Sequence, residues 1–411
     1  MRILAVLSLC IAGILPFSRT QAFSAEAPRK GLTQGDPEAA GLRPDHLQSI
    51  DQAVAAAIEA GETPGAVVLA ARHGRIVYCK AFGKRSLQPR IEAMTTDTIF
   101  DLSSLTKVVA TAPSILLLAE NGRLRLEDKA KRYLPNFSGG GKDGITLRQL
   151  LTHYSGLQAD FDLSRPWSGY QAGLEELWKI GTASEPGKEF IYSDLNFIAL
   201  GDIVRVVSGK GLDAFAREHI FEPLGMKDTF FQPPATMIPR IAPTETRRNT
   251  LRYLRGQSTG TSLDVMLRGE VHDPTAWRME GVTGHAGVFS SIRDLAVYAQ
   301  MLLDMGAYPG GRLLSSLTVR AMTSPQSPTG SPQIRGYGWD IESTYSSPRG
   351  DIFREGYGHT GFSGTSLWIH PPTESFVIIL SNRVHPDGGK DINHLRGAIA
   401  NIVAGAISDP R

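Results

Sequence analysis

Phe100-Asp101-Leu102-Ser103-Ser104-Leu105-Thr106-Lys107-Val108-Val109-Ala110 changes from a polar turn to an apolar helical pattern at its paired serines. Ser103 stands at an expected helix N-cap, which places Ser104 in the first helical turn. Lys107, three residues on, then shares a face with Ser104. A serine hydroxyl is a poor nucleophile until a neighbour removes its proton, and a partly buried lysine with a lowered pKa can do so. A helix N-terminus also offers a positive dipole and a free amide to an oxyanion. Ser104 is therefore read as an acylated nucleophile and Lys107 as its proton partner. Ser-x-x-Lys alone arises about once by chance in a chain of this length, so the surrounding sequence must carry the assignment.

Upstream, residues 43–59 place Leu47, Ile50, Val54, Ala57 and Ile58 at helical spacing, ended by Thr63-Pro64-Gly65. Residues 66–71 and 76–82 read as strands joined by the hairpin turn Arg72-His73-Gly74-Arg75. Strand patterns return at 336–341, 364–370 and 375–382, before an amphipathic helix at 391–406. The two chain ends thus form one α/β (α+β) unit, an antiparallel sheet flanked by helices. It is expected over residues 26–126 and 294–411, with a mostly helical, loop-rich lobe inserted at 127–293. A cleft between the two lobes follows naturally.

Two further elements carry chemistry. Tyr192-Ser193-Asp194 precedes a helix, and a tyrosine hydroxyl beside a lysine can relay a proton to a leaving group. Taken in isolation, the segment reads rather as a helix cap, Asp194, beside a packed aromatic, Tyr192. Gly358-His359-Thr360-Gly361-Phe362-Ser363-Gly364 sets glycines around a polar centre just before a strand. There the Phe362 amide can serve as a second oxyanion donor beside that of Ser104. His359 is read either as a contact for a substrate carboxylate or the proton network, or as a structural histidine at a strand edge. His285, in Gly284-His285-Ala286-Gly287, either lines the cleft or anchors its loop.

These elements, in this order, resemble the serine β-lactamase and penicillin-binding protein family, nearest its class C β-lactamase-related, penicillin-binding protein 4B-like branch. That family carries Ser-x-x-Lys, Tyr-x-Asn and Lys-Thr-Gly. Ser104 and Lys107, Tyr192, and Thr360 with Gly361 match. Residues 146–157, Phe221-Glu222-Pro223-Leu224-Gly225-Met226, residues 284–291, Gly269-Glu270-Val271-His272-Asp273 and residues 380–386 extend the likeness from about 41 to 407.

The resemblance implies a β-lactamase/transpeptidase-like fold and two-step acyl transfer. Ser104, Lys107 and Tyr192 would be catalytic, and Phe362, Asp194, His359, Thr360, Gly361 and His285 would bind oxyanion or substrate. Asp194 stands where the family has Asn, exchanging an amide donor for an acceptor that can pair with Lys107. His359 stands where it has Lys, removing a permanent charge for a carboxylate. Both changes lower the expectation of β-lactam hydrolysis. A D-amino-acid cell-wall peptide, in the manner of a DD-carboxypeptidase, or a small ester is the expected substrate. The alternatives are a β-lactamase and a non-catalytic binding or sensing protein of the same fold.

The 411 residues are 41% hydrophobic and 20% charged, an ordinary soluble balance. A net charge of +2 gives no field for nucleic acid. No zinc spacing, Walker loop or dinucleotide fingerprint is present, so neither a metal nor an organic cofactor is expected. Glu270, His272, Asp273 and His285 are metal-capable residue types, but their spacing fixes no coordination geometry. One arginine before an apolar run reads as a signal peptide over residues 1–25, directing export to the periplasm or exterior. Membrane association would follow only if it stays uncleaved. Its removal leaves Cys79 as the single thiol, so no internal disulfide is expected. Arg240, Arg247, Arg248, Arg252 and Arg255 form a basic stretch, either a solvated face or a contact for an anionic wall fragment. Ser291 to Asp294 reads as a helix-start cap.

Overall fold

The strand Gly65–Arg72 is buried at every position in the computed structural model of the chain, which describes residues 31–250 and 264–408. Successive strand side chains point to opposite faces. Val67, Leu69 and Ala71 therefore enter one apolar cluster, while Ala66, Val68 and Ala70 enter another. Burial on both faces is why this run is apolar without alternation. It pairs antiparallel with Arg75–Ser86 through the expected hairpin, and with Ser375–Ser381 on its other side.

Among the described residues, the nine-stranded sheet runs Thr33–Gln34, Arg75–Ser86, Gly65–Arg72, Ser375–Ser381, Ser366–His370, Tyr357–Thr360, Asp340–Glu342, Ile334–Arg335, with Glu92–Ala93 paired to Arg75–Ser86 off this path. Thr33–Gln34 joins parallel, the others antiparallel. The helices Ser49–Glu59 and Asn393–Ala406 cover one face through Ile50, Val54, Ile399 and Val403. Ile292–Leu303 packs on the other, and Ala112–Glu120 joins the same apolar cluster. The cluster there continues without a break through Leu147, Leu150, Phe197 and Ile203 of Leu147–Leu151 and Asp194–Ser208. Strands from both ends of the chain thus form one sheet, and the intervening helices share its core.

Three local readings change. The helix expected over 43–59 is two pieces, Pro44–Leu47 and Ser49–Glu59. The strand expected over 336–341 is a hairpin of Ile334–Arg335 and Asp340–Glu342, because the backbone reverses through Gly338 at φ +82°. His359 and Thr360 belong to the strand Tyr357–Thr360 rather than to the turn before one. The expected signal segment, Arg252 and Arg255 lie outside the described residues. No helix among those described is long and apolar enough to cross a membrane.

Candidate active site

The strand Ile99–Asp101 delivers the chain to Ser103, whose φ of +48° is uncommon for a residue with a side chain. The strain is held from three sides. Asp101 Oδ1 accepts the Ser103 N–H at 2.8 Å, Ser103 Oγ accepts the Ser363 N–H at 3.2 Å, and Thr365 Oγ1 donates to Leu102 O at 3.0 Å. Ser103 is therefore not a side-chain helix cap. Its hydroxyl ties the nucleophile turn to the third motif instead. A tight turn, Ser103–Leu105, and a widened one, Lys107–Thr111, precede the regular helix Ala112–Glu120. Such widened turns occur frequently at functional sites.

Lys107 is fully buried and its Nζ meets three acceptors: Ser104 Oγ at 3.0 Å, His285 O at 3.0 Å, and Asp194 Oδ1 in a contact ion pair at 2.6 Å. Burial alone would push its pKa down, but the Asp194 carboxylate, aided by Tyr192, overrides it and holds the ammonium above the ordinary lysine value. That reverses the lowered pKa expected from burial. The pairing of Asp194 with Lys107 is present, at the first residue of the helix Asp194–Ser208. Gly284 makes the contact to the His285 carbonyl possible. A β-carbon there would lie 1.9 Å from Phe197 O, so only glycine lets the 284–287 loop rest on this helix and aim the His285 carbonyl at Lys107.

Tyr192 places its ring 5.1 Å from Lys107 Nζ and stacks on His153 at 4.4 Å, with Tyr345 at 5.0 Å. The amides of Ser104 and Phe362 have no hydrogen-bond partner among the described residues. Gly361 is fixed by space, since a β-carbon would strike Thr365 Oγ1 at 2.0 Å and Leu102 O at 2.3 Å. Ser104, Tyr192, Asp194 and Phe362 all border a cavity of about 930 Å³.

His359 and His285 stand apart from that cavity lining. His359 is buried and donates from Nδ1 to Thr360 O at 2.8 Å. Burial, with Arg335 and Lys107 nearby, keeps its pKa well below the ordinary value, so it is a neutral group behind Tyr192. His285 sits one layer back, with Nε2 at 2.8 Å from Asp273 Oδ1. Of its two readings, loop anchor is the one observed. Thr360 and Gly361 border a second hollow, of about 240 Å³, with Arg383 and Arg396.

Sequence reasoning passed over Asp160 and gave no role beyond metal-capable to His272 and Asp273, all three of which line the main cavity. Burial and the nearby Asp194 and Asp273 push Asp160 up to about 7. Asp273 is pulled down to about 2, its burial outweighed by His285. Asp194, Asp273 and His285 bring ligand-type atoms within 4.8 Å of one another, but the Lys107 ammonium and the His285–Asp273 pair already engage them. Glu270 pairs with Arg247 instead. Arg240 pairs with Asp97 and Asp228, and Arg248 with Asp264. Ser291 accepts the Asp294 N–H at 3.4 Å, the geometry of the expected cap.

A left-handed turn carrying Ser104, a buried lysine beside it and a cavity bordered by Ser104 and Tyr192 make an arrangement that can support serine acyl transfer. Residues 50–401 match the Beta-lactamase family model, and the chain belongs to that family. It is 31% identical over 382 residues, 86% of each chain, to the Escherichia coli K12 protein named "Putative D-alanyl-D-alanine carboxypeptidase". Its fold is similar to that of a penicillin-binding protein homologue from Caulobacter crescentus, with a TM-score of 0.69 at 21% identity over 89% of this chain and 99% of that one. It is similar also to EstCE1, a hydrolase with promiscuous acyltransferase activity, with a TM-score of 0.67 at 22% identity over 88% and 99%. The chain is a serine hydrolase of β-lactamase-like fold.

Proposed function

We propose that the protein is an exported hydrolase that forms an acyl-enzyme on Ser104 and acts first on D-amino-acid cell-wall peptides, removing a terminal residue. The observation that carries this is Ser104 Oγ at 3.0 Å from Lys107 Nζ, on the wall of a cavity with two free amides. Ser104 attacks the peptide carbonyl, and the two amides hold the oxyanion. Because Lys107 rests as an ammonium, it takes the serine proton only as it passes one of its own to Asp194. Asp194 is thus the terminal proton acceptor of acylation. Tyr192, over the same ammonium, gives its proton to the leaving amine and is reprotonated from Asp194 through Lys107.

The hollow beside Thr360 supports the carboxypeptidase reading. The neutral His359 offers no charge to a substrate carboxylate, whereas Arg383 and Arg396 supply two on the far side of Thr360. A small ester, needing no carboxylate site, is the second reading, favoured by that same neutral histidine. A β-lactam ranks third. Turnover of a D-Ala-D-Ala peptide, a p-nitrophenyl ester and nitrocefin, measured side by side, orders the three. Intact-mass spectrometry after a fluorophosphonate tests the nucleophile. An adduct that survives Ser104→Ala would overturn the assignment.

A further inference from the structure

Deacylation needs a base that a cavity water can reach, and Lys107 is not one, because its side chain has no exposed surface and its charge is held by Asp194. Asp273 is a weak base, bound to His285 Nε2 and to the Ala276 N–H. Asp160 has its oxygens taken up by Thr275 Oγ1 at 3.1 Å and the Phe161 N–H at 2.8 Å.

His272 is different. It borders the cavity with Ser104, and its ring stacks on that of Phe362 at 5.7 Å, beside the oxyanion amide. One carboxylate places it against the nucleophile turn: Asp101 accepts the Ser103 N–H on Oδ1 and the His272 N–H on Oδ2, at 2.8 and 2.7 Å. Its Nε2 lies 2.7 Å from Oε1 of Glu245, which is itself buried. A carboxylate on one ring nitrogen fixes the proton there and leaves the other nitrogen with a lone pair. Nδ1 has no partner among the described residues.

We propose that His272, oriented by Glu245, is the general base of deacylation. The step rests on the Ser104 acyl-enzyme. Water attacks the acyl carbonyl as His272 Nδ1 takes one of its protons, and the tetrahedral intermediate collapses. The bond to Ser104 Oγ breaks, the oxygen leaves with a proton relayed from the Lys107–Asp194–Tyr192 group, and the acid product departs. His272 then gives up its proton to solvent and the Lys107–Asp194–Tyr192 group recovers one from it, so both return to their resting protonation. Acylation and deacylation thereby use bases on opposite sides of the nucleophile.

The test follows a p-nitrophenyl ester in the full-length enzyme and its His272→Gln, Glu245→Gln and Tyr192→Phe variants, by burst kinetics and intact mass. His272→Gln is expected to give a stoichiometric burst at nearly the wild-type rate, then turnover at least about 100-fold slower, with the acyl adduct on Ser104 dominating the spectrum. Glu245→Gln should slow release about tenfold. Hydroxylamine, which needs no base to attack an ester, should restore release in His272→Gln, as it would not if the residue were merely structural. Release from His272→Gln at the wild-type rate overturns the proposal, as does equal loss of burst and turnover, or stalling in Tyr192→Phe alone. Failure of fluorophosphonate to label the wild-type enzyme would instead sink the Ser104 reading.

Discussion

Lys107 Nζ stands nearer to Asp194 Oδ1, at 2.6 Å, than to Ser104 Oγ, at 3.0 Å. The carboxylate therefore controls the charge state of the group that must handle the serine proton. A lysine that reads from sequence as a ready base is at rest a cation, and its basicity becomes a property of the pair.

Asp194→Asn removes that control. With the carboxylate gone, burial dominates and the Lys107 pKa falls. Acylation, which in the wild type ends with the proton on Asp194, must in the variant wait for Lys107 itself to lose a proton, so its acid limb should move up by at least about one unit. Rates of fluorophosphonate labelling from pH 5 to 10 read this directly. An unmoved limb would mean that Asp194 does not set the lysine's charge.

Asp160, held near 7, gives the cavity a charge that changes in the neutral range. Below that value it is neutral and above it anionic, so KM for a substrate bearing a free ammonium should fall as pH rises from 6 to 8. KM for its N-acetylated counterpart should not. Asp160→Asn should flatten the difference to within about twofold, since the amide carries no charge to attract the amine.

Gly284→Ala tests the close approach of the loop to the Asp194–Ser208 helix. The added carbon meets Phe197 O and must displace one of the two backbones, at a cost of about 1–3 kcal/mol. Lys107 loses its His285 carbonyl contact with it. Labelling should slow more than the melting temperature alone explains. A variant that is destabilised but labels normally would show the His285 carbonyl to be dispensable.

Away from the site, Glu92 is held well below the ordinary glutamate range, chiefly by Arg268 and also by Arg90 and Arg85. A depressed carboxylate adds stability above its unfolded pKa and loses it as pH falls through the folded one. Glu92→Gln should lower the melting temperature by roughly 2–4 °C at pH 7, with the gap closing in strong acid. A gap of equal size at pH 2 would contradict the charge-based account.

What the sequence exposed was whatever its local pattern encodes. Ser104 and Lys107 share a face by spacing, Tyr192 and Asp194 precede a helix, and the continuous apolar run of Gly65–Arg72 marks a strand covered on both sides. What it hid depends on distant partners. Ser103 resembles a cap, but its left-handed backbone is imposed by Ser363 and Asp101. The 336–341 segment reads as a strand until Gly338 turns it. Lys107 looked set for a lowered pKa because pattern shows burial and not the competing charge. His272 and Glu245 lie 27 positions apart and meet only through the fold, and nothing in the loop around Asp160 distinguishes it from any surface aspartate.

The clasp between Ser103 Oγ and the Ser363 N–H joins positions 260 residues apart. The strand Ser366–His370 reaches its place only by pairing with Ser375–Ser381, which in turn fills the gap beside Gly65–Arg72. A growing chain can thus have Ser104 and Lys107 fully synthesised for most of its translation while the reactive geometry is still missing. The clasp on Ser103 forms only once the carboxyl-terminal strands are made, so the turn that carries Ser104 depends on residues translated last.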